Sequence, residues 1–248
     1  MTTPAPSVTD PDDFERQLHE LRTREKAHTR EGDAIAAARR RLPMTEVPPD
    51  TTVIGPDGPV PFGDVFEGRD ELIVYSHMFH DGKPWEWQCE GCTRNTWNMG
   101  KAPDAAYLNA NGITFAILVD GPYEEIAAFR DFMCYTASWY SNAHLDDPTV
   151  GVAGRISCYL RRDDKIYLTY WTTGRGDEAM SPSFGLLDMT AYGRREEWED
   201  SPEGWPQFPT HSVMRTDEHG DFMGPRNGGR PVPQWTRPGI TGVGGQTG

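Results

Sequence analysis

The stretch Leu72-Ile73-Val74-Tyr75-Ser76-His77-Met78-Phe79, followed at residues 89–92 by Cys89-Glu90-Gly91-Cys92, decides the fold. Its first residues form a short apolar run without polar alternation. Such a run reads as a strand buried on both faces, and so central in its sheet. The two cysteines follow the strand, and a helix is expected to begin with them. A thiol at a helix N-terminus meets unpaired N–H groups and the positive end of the helix dipole, which favour the thiolate. Two thiols at this spacing can close a disulfide or grip a soft metal, and the spacing alone leaves both open.

Outward from this stretch, strands and helices alternate. Residues 12–42 are rich in Glu, Arg, Ala and Leu, with Phe14, Leu18, Leu21 and Ile35 loosely at helical spacing. They predict one long polar helix, broken near Gly32-Asp33 and ended by Leu42-Pro43, that packs on the domain or on a second subunit. Gly55-Pro56-Asp57-Gly58 marks a turn between two short strands. A helix is expected within residues 92–111, then a buried strand at residues 113–119 and an amphipathic helix at residues 122–133, with Ile126, Phe129 and Met133 on its apolar face. Residues 134–154 read as irregular. Residues 155–161 and 165–172 form a hairpin around Asp163-Asp164. A Gly-rich loop and one or two final helices at residues 184–199 complete the plan. Strands linked through helices pair in parallel, and the terminal hairpin adds an antiparallel edge. The expected fold is therefore α/β: a thioredoxin-like mixed sheet flanked by helices. The expected organisation is a disordered tail at residues 1–11, an N-terminal helical arm at 12–50, the thioredoxin-like domain at 51–200 and an extended C-terminal tail at 201–248.

Composition narrows the function. The 248 residues carry a net charge of -14, which disfavours nonspecific binding to nucleic acid or to an anionic membrane. Hydrophobic residues are 36%, and 26 glycines with 21 prolines indicate long loops. No apolar stretch is long enough to span a bilayer. The N-terminus, Met1-Thr2-Thr3-Pro4-Ala5-Pro6, has no basic region and no apolar region of a secretory signal, so a cytoplasmic location is expected. Four cysteines are too few for a disulfide scaffold, and in a reducing compartment a CxxC points to catalysis or metal. Cys134 and Cys158 are expected to be buried and inert.

Several blocks carry a family resemblance. They are Arg39-Arg40-Arg41-Leu42-Pro43, Leu72-Ile73-Val74-Tyr75 with Met78-Phe79, Gly174-Arg175-Gly176, Leu186-Leu187-Asp188-Met189-Thr190, Tyr192-Gly193-Arg194 and Trp198-Glu199-Asp200-Ser201-Pro202-Glu203-Gly204. On these the chain resembles the DUF899 proteins, a bacterial thioredoxin-like family often labelled predicted dithiol-disulfide oxidoreductases. The resemblance runs from about residue 13 to about residue 222. It implies a redox-active dithiol, with Cys89 as exposed nucleophile and Cys92 as buried resolving thiol. The chain departs from the family where Met78-Phe79 leads into His80-Asp81-Gly82-Lys83-Pro84-Trp85, and again at Thr93-Arg94-Asn95-Thr96-Trp97. Thioredoxin-like reductases also set a cis-proline opposite the CxxC. Here Gly154-Arg155-Ile156-Ser157 has none, which leaves room for metal.

Three readings follow. The first is a thiol–disulfide oxidoreductase using Cys89 and Cys92, acting on a small thiol or disulfide or a protein disulfide, with no organic cofactor. The second is a copper-binding protein or copper-dependent oxidase, with zinc as the lesser choice. Its ligands would be Cys89 and Cys92 with His77, His80 or His144. The third is a noncatalytic partner-binding module built on the N-terminal arm, which is also the candidate homodimer surface. Trp85, Trp87 and Trp97 bracket the thiols, as pocket wall or as core cover. Arg175 is a candidate to bind an anion or to pair with a carboxylate.

Overall fold

The computed structural model describes residues 4–196 and 199–207. In chain order the elements are α1 (Pro11–Arg39), β1 (Thr45–Glu46), β2 (Thr52–Gly55), β3 (Gly58–Pro61), β4 (Glu71–His77), α2 (Glu90–Met99), α3 (Ala106–Ala110), β5 (Ile113–Val119), α4 (Tyr123–Phe132), β6 (Trp139–Ser141), β7 (Arg155–Arg162), β8 (Lys165–Thr173) and α5 (Pro182–Asp188). The strands form one sheet in the order β1-β8-β7-β4-β5-β6-β2-β3.

β4 is central. It pairs in parallel with β5 and antiparallel with β7, and β7 pairs antiparallel with β8. The order β5-β4-β7-β8, with α2 leaving the end of β4, is the thioredoxin-like arrangement. Alternation along the two central strands explains their unbroken apolar character. Tyr75, Phe115, Ile117 and Val119 join a core with Ile126, Phe129 and Trp139 on one face. Leu72, Val74, Ala116 and Leu118 join a second core with Phe62, Phe66 and Tyr159 on the other. Each face excludes water, so no polar residue is required between the apolar ones.

The β7–β8 hairpin turns on Asp163 and Asp164, whose φ values are 52° and 62°. Both central residues are left-handed, as a two-residue turn between twisted strands requires. α4 starts after Pro122, carries Glu124 and Glu125 in its first turn and Arg130 in its last, and buries Ile126 and Phe129.

Several expectations are corrected. α1 runs unbroken through Gly32. One glycine costs about 1 kcal/mol of helix propensity, and the Ala-rich turns after it carry the helix on. No residue of α1 is buried within the chain. The helix expected within residues 92–111 is two pieces, because Gly100 and Pro103 interrupt it. The segment expected to be irregular holds β6, which pairs with both β5 and β2 and so ties the β2–β3 hairpin to the sheet. The last helix starts at Pro182 and ends at Asp188. Cys134 is exposed and Cys158 is half-buried, so neither is a core residue. Residues 1–3 of the expected N-terminal tail, and the expected C-terminal tail beyond Gln207, lie outside the described residues. Ahead of α1, the Pro4 carbonyl accepts a hydrogen bond from the Tyr192 hydroxyl at 2.9 Å.

Candidate functional site

α2 begins where the sequence places the thiols. Cys89 is its N-cap residue, and Cys92 lies in its first turn. Both are free thiols, and they are close enough for the Cys92 thiol to hydrogen-bond to the Cys89 sulfur. That bond is the largest cause holding the Cys89 pKa down to about 7; burial opposes it, and the N–H groups of Cys92 and Gly91 add to it. Cys92 moves the other way. Its bond to Cys89 and its burial push its pKa well above the ordinary thiol value. The pair therefore divides into an easily ionised thiol and a reluctant one.

The expected exposure of Cys89 is corrected: it is 7% exposed and Cys92 4%. The reason is the chain that returns over the thiols after β8. Cys89 and Cys92 line a pocket of about 380 Å³ whose other wall includes Thr173, Arg175, Asp177, Glu178, Phe184 and Arg194. The Phe184 ring lies between two guanidinium groups, Arg94 and Arg194, each 4.2 Å from its centroid. Arg194 bonds both oxygens of Glu178, at 3.0 and 3.1 Å, and both of Asp188 at 2.7 Å. Arg175 pairs with Glu178 at 2.9 Å. These ion pairs tie the returning segment to itself, and Arg94 on Phe184 with the Asn95 bonds to Asp177 and Ser181 holds it against α2.

The histidines do not join the thiols. His77 is fully buried among the rings of Tyr75, Phe129 and Trp139, with its Nδ1 2.9 Å from the Thr96 hydroxyl. Its Nε2 has no hydrogen-bond partner among the described residues. Burial, then the charge of His80, lowers its pKa to about 3, so it is neutral. His80 and His144 are exposed. Among the described residues, no three side chains from His, Cys, Asp and Glu converge as a metal-ligand set. The tryptophans cover core rather than pocket. Trp85 packs on Phe132 of α4 at 4.2 Å and Trp97 against the main core; neither they nor Trp87 line the thiol pocket.

Gly154 explains the missing proline. It lies just before β7, beside the thiol pocket, with φ of 74° and its N–H bonded to the Ser76 carbonyl at 2.7 Å. Proline can meet neither requirement.

Three residues escaped the sequence reading. Gln88 is fully buried and clamps the loop before the thiols, accepting from the His80 N–H at 2.9 Å and donating to the His80 carbonyl at 3.0 Å. Tyr75 and Asn95 meet beneath the thiols, Asn95 Nδ2 donating to the Tyr75 hydroxyl at 3.1 Å. No spacing rule marks them, because Tyr75 and Asn95 meet across a strand–helix contact and Gln88 bonds the backbone of a loop eight residues before it.

Topology and site together define a thioredoxin-like α/β protein with two thiols at the strand-to-helix junction. The chain belongs to the DUF899 family, whose model, described as a bacterial protein of unknown function, matches residues 3–219. Among solved structures it is similar to a Chlorobium tepidum chain given the provisional description thiol:disulfide interchange protein DsbE. That similarity is 17% identity and a TM-score of 0.37, covering 58% of this chain and 97% of the other. No curated protein matches the sequence. Among the described residues, no helix is long and apolar enough to cross a membrane.

Proposed function

We propose that the protein is a thiol–disulfide oxidoreductase in which Cys89 is the nucleophile and Cys92 the resolving thiol. The observation that carries this reading is the opposite displacement of two neighbouring thiols at one helix N-terminus, both opening on one pocket. The Cys89 thiolate attacks one sulfur of a substrate disulfide R–S–S–R. A Cys89–S–S–R bond forms, and the first RS⁻ leaves with the electron pair of the broken bond. The Cys92 sulfur then attacks Cys89, the Cys89–Cys92 bond forms, and the second RS⁻ leaves. The substrate gains two electrons and the protein dithiol loses two. An external thiol restores the dithiol, and no organic cofactor is needed. A pocket of about 380 Å³ fits a small disulfide, so we place low-molecular-weight disulfides ahead of folded proteins as substrates.

The test is stoichiometric. The reduced protein, mixed with excess of an aromatic disulfide that releases a coloured thiolate, should release two equivalents through this site. In a Cys134→Ser, Cys158→Ser background, which removes the other free thiols, Cys92→Ser should stop after one equivalent and retain a mixed disulfide on Cys89, detectable by intact mass. In the same background, Cys89→Ser should slow release by orders of magnitude. If Cys89→Ser reacts like the wild type, the reading is wrong.

A further inference from the structure

The proposal above leaves Cys92 with a difficulty. It must attack as an anion, yet it sits buried with its pKa pushed up. Two donors converge on it. The Met78 N–H, just past the end of β4, points at the Cys92 sulfur at 3.3 Å. The Tyr75 hydroxyl hydrogen-bonds to the same sulfur. Tyr75 is 1% exposed and lies on β4, on the face that α2 covers, so its ring has little freedom to leave.

The polarity of the Tyr75 hydroxyl is set from behind. Asn95, one turn beyond Cys92 on α2, donates its Nδ2 to the Tyr75 oxygen at 3.1 Å and to Asp177 Oδ2 at 3.0 Å. The Asn95 carbonyl oxygen accepts from the Ser181 hydroxyl at 2.7 Å and from Arg94 at 2.7 Å. Those two donors fix which end of the amide is oxygen. Its NH₂ must then face the tyrosine. With its lone pair occupied by Asn95, the Tyr75 hydroxyl has its own hydrogen left for sulfur.

We propose that Tyr75 is a catalytic residue of the resolving step, its hydroxyl and the Met78 N–H forming a two-donor hole that stabilises the anionic Cys92 sulfur, with Asn95 as the positioning residue. This rests on the dithiol reading. In the step, Cys92 first gives its proton to solvent, and the second RS⁻ leaves with the electron pair of the bond that breaks. The Cys92 sulfur forms its bond to Cys89 as the Cys89–S–R bond breaks. Tyr75 keeps its own proton throughout and holds charge rather than transferring it. A charge-assisted bond of this kind is worth about tenfold or more in the rate of the step it serves.

The experiment follows single-turnover release of coloured thiolate from the aromatic disulfide, in which Cys89 attack and Cys92 resolution appear as two phases. Tyr75→Phe, which removes only the hydroxyl, should leave the first phase within about twofold and slow the second by about tenfold or more. Asn95→Ala should slow the same phase by a smaller factor, and it decides the matter alone if Tyr75→Phe fails to fold by near-ultraviolet circular dichroism. Equal slowing of both phases, or an unchanged second phase, overturns the role of Tyr75 while the dithiol reading stands. A wild-type protein that never releases the second equivalent overturns both.

Discussion

At the scale of the residue, Cys89 is governed by competing effects whose balance is measurable. Donation from the Cys92 thiol and from two helix N–H groups outweighs burial and the nearby Glu90 carboxylate, so its pKa settles at about 7. Alkylation of the reduced protein by iodoacetamide should therefore rise with pH through a midpoint near 7, with Cys89 as the residue modified. Cys92→Ala removes the largest of the favourable effects, so its midpoint should move up; a midpoint that stays near 7 would mean that the N–H groups alone suffice. His77 supplies a second prediction. Its folded pKa, about 3, lies below its ordinary value of 6.5, so between those values the unfolded chain binds the proton and the folded chain does not. This contribution to stability is fully present above about pH 6.5 and is lost as pH falls toward 3. The urea midpoint of His77→Gln should fall less between pH 7 and pH 5 than that of the wild type, whatever its starting stability. A parallel fall in the two proteins would remove His77 as the titrating group.

At the scale of the element, the chain shows which signals are local. The bounds of β5 coincide with the run Ile113–Val119, and the hairpin turns at the two aspartates named for it, because burial on both faces and turn chemistry are written in adjacent residues. β6 was not legible: three residues carry no period, and only its partners β5 and β2 make it a strand. The burial of Cys89 was not legible either. Its cover comes from residues 173–194, some ninety positions on, and the apolar residue in that cover, Phe184, announces no partner. The tryptophans misled for the opposite reason, since proximity in sequence to the thiols did not bring them to the pocket. The β7–β8 turn offers a clean test of the local signal. Asp163 and Asp164 both hold left-handed φ, which Gly adopts without a Cβ penalty and which Asn-Gly favours in a two-residue turn of this kind. Replacing both, Asp163→Asn with Asp164→Gly, should stabilise the protein by about 0.5–1 kcal/mol, read as a higher urea midpoint at unchanged slope.

At the scale of the whole molecule, reactivity depends on how the chain closes on itself. The sheet and α2 build the thiol pair, but the segment after β8 shelters it, and one side chain holds that segment's own fold together. The Arg194 guanidinium reaches Glu178 on the 3₁₀ turn Gly174–Met180, Asp188 at the end of α5, and the face of Phe184. Its side chain is 6% exposed while its partners are 24% and 44% exposed, so the pairing is half screened and acts as a fastening more than as a core. We predict that Arg194→Gln leaves the sheet and α2 intact and loosens this segment. Each ~1.4 kcal/mol removed from the closed arrangement multiplies the open fraction by about ten. Cys89 in the variant should then be alkylated several-fold faster at a pH well above 7, where ionisation no longer limits the rate and access does. Protection of the α2 and β4 amides from hydrogen exchange should stay at the wild-type level, while that of residues 181–188 falls. Added salt should narrow the difference, because it weakens the wild-type clamp and has little left to weaken in the variant. Wild-type alkylation rates in Arg194→Gln would mean that the thiols are reached without moving this segment, through the pocket mouth as it stands.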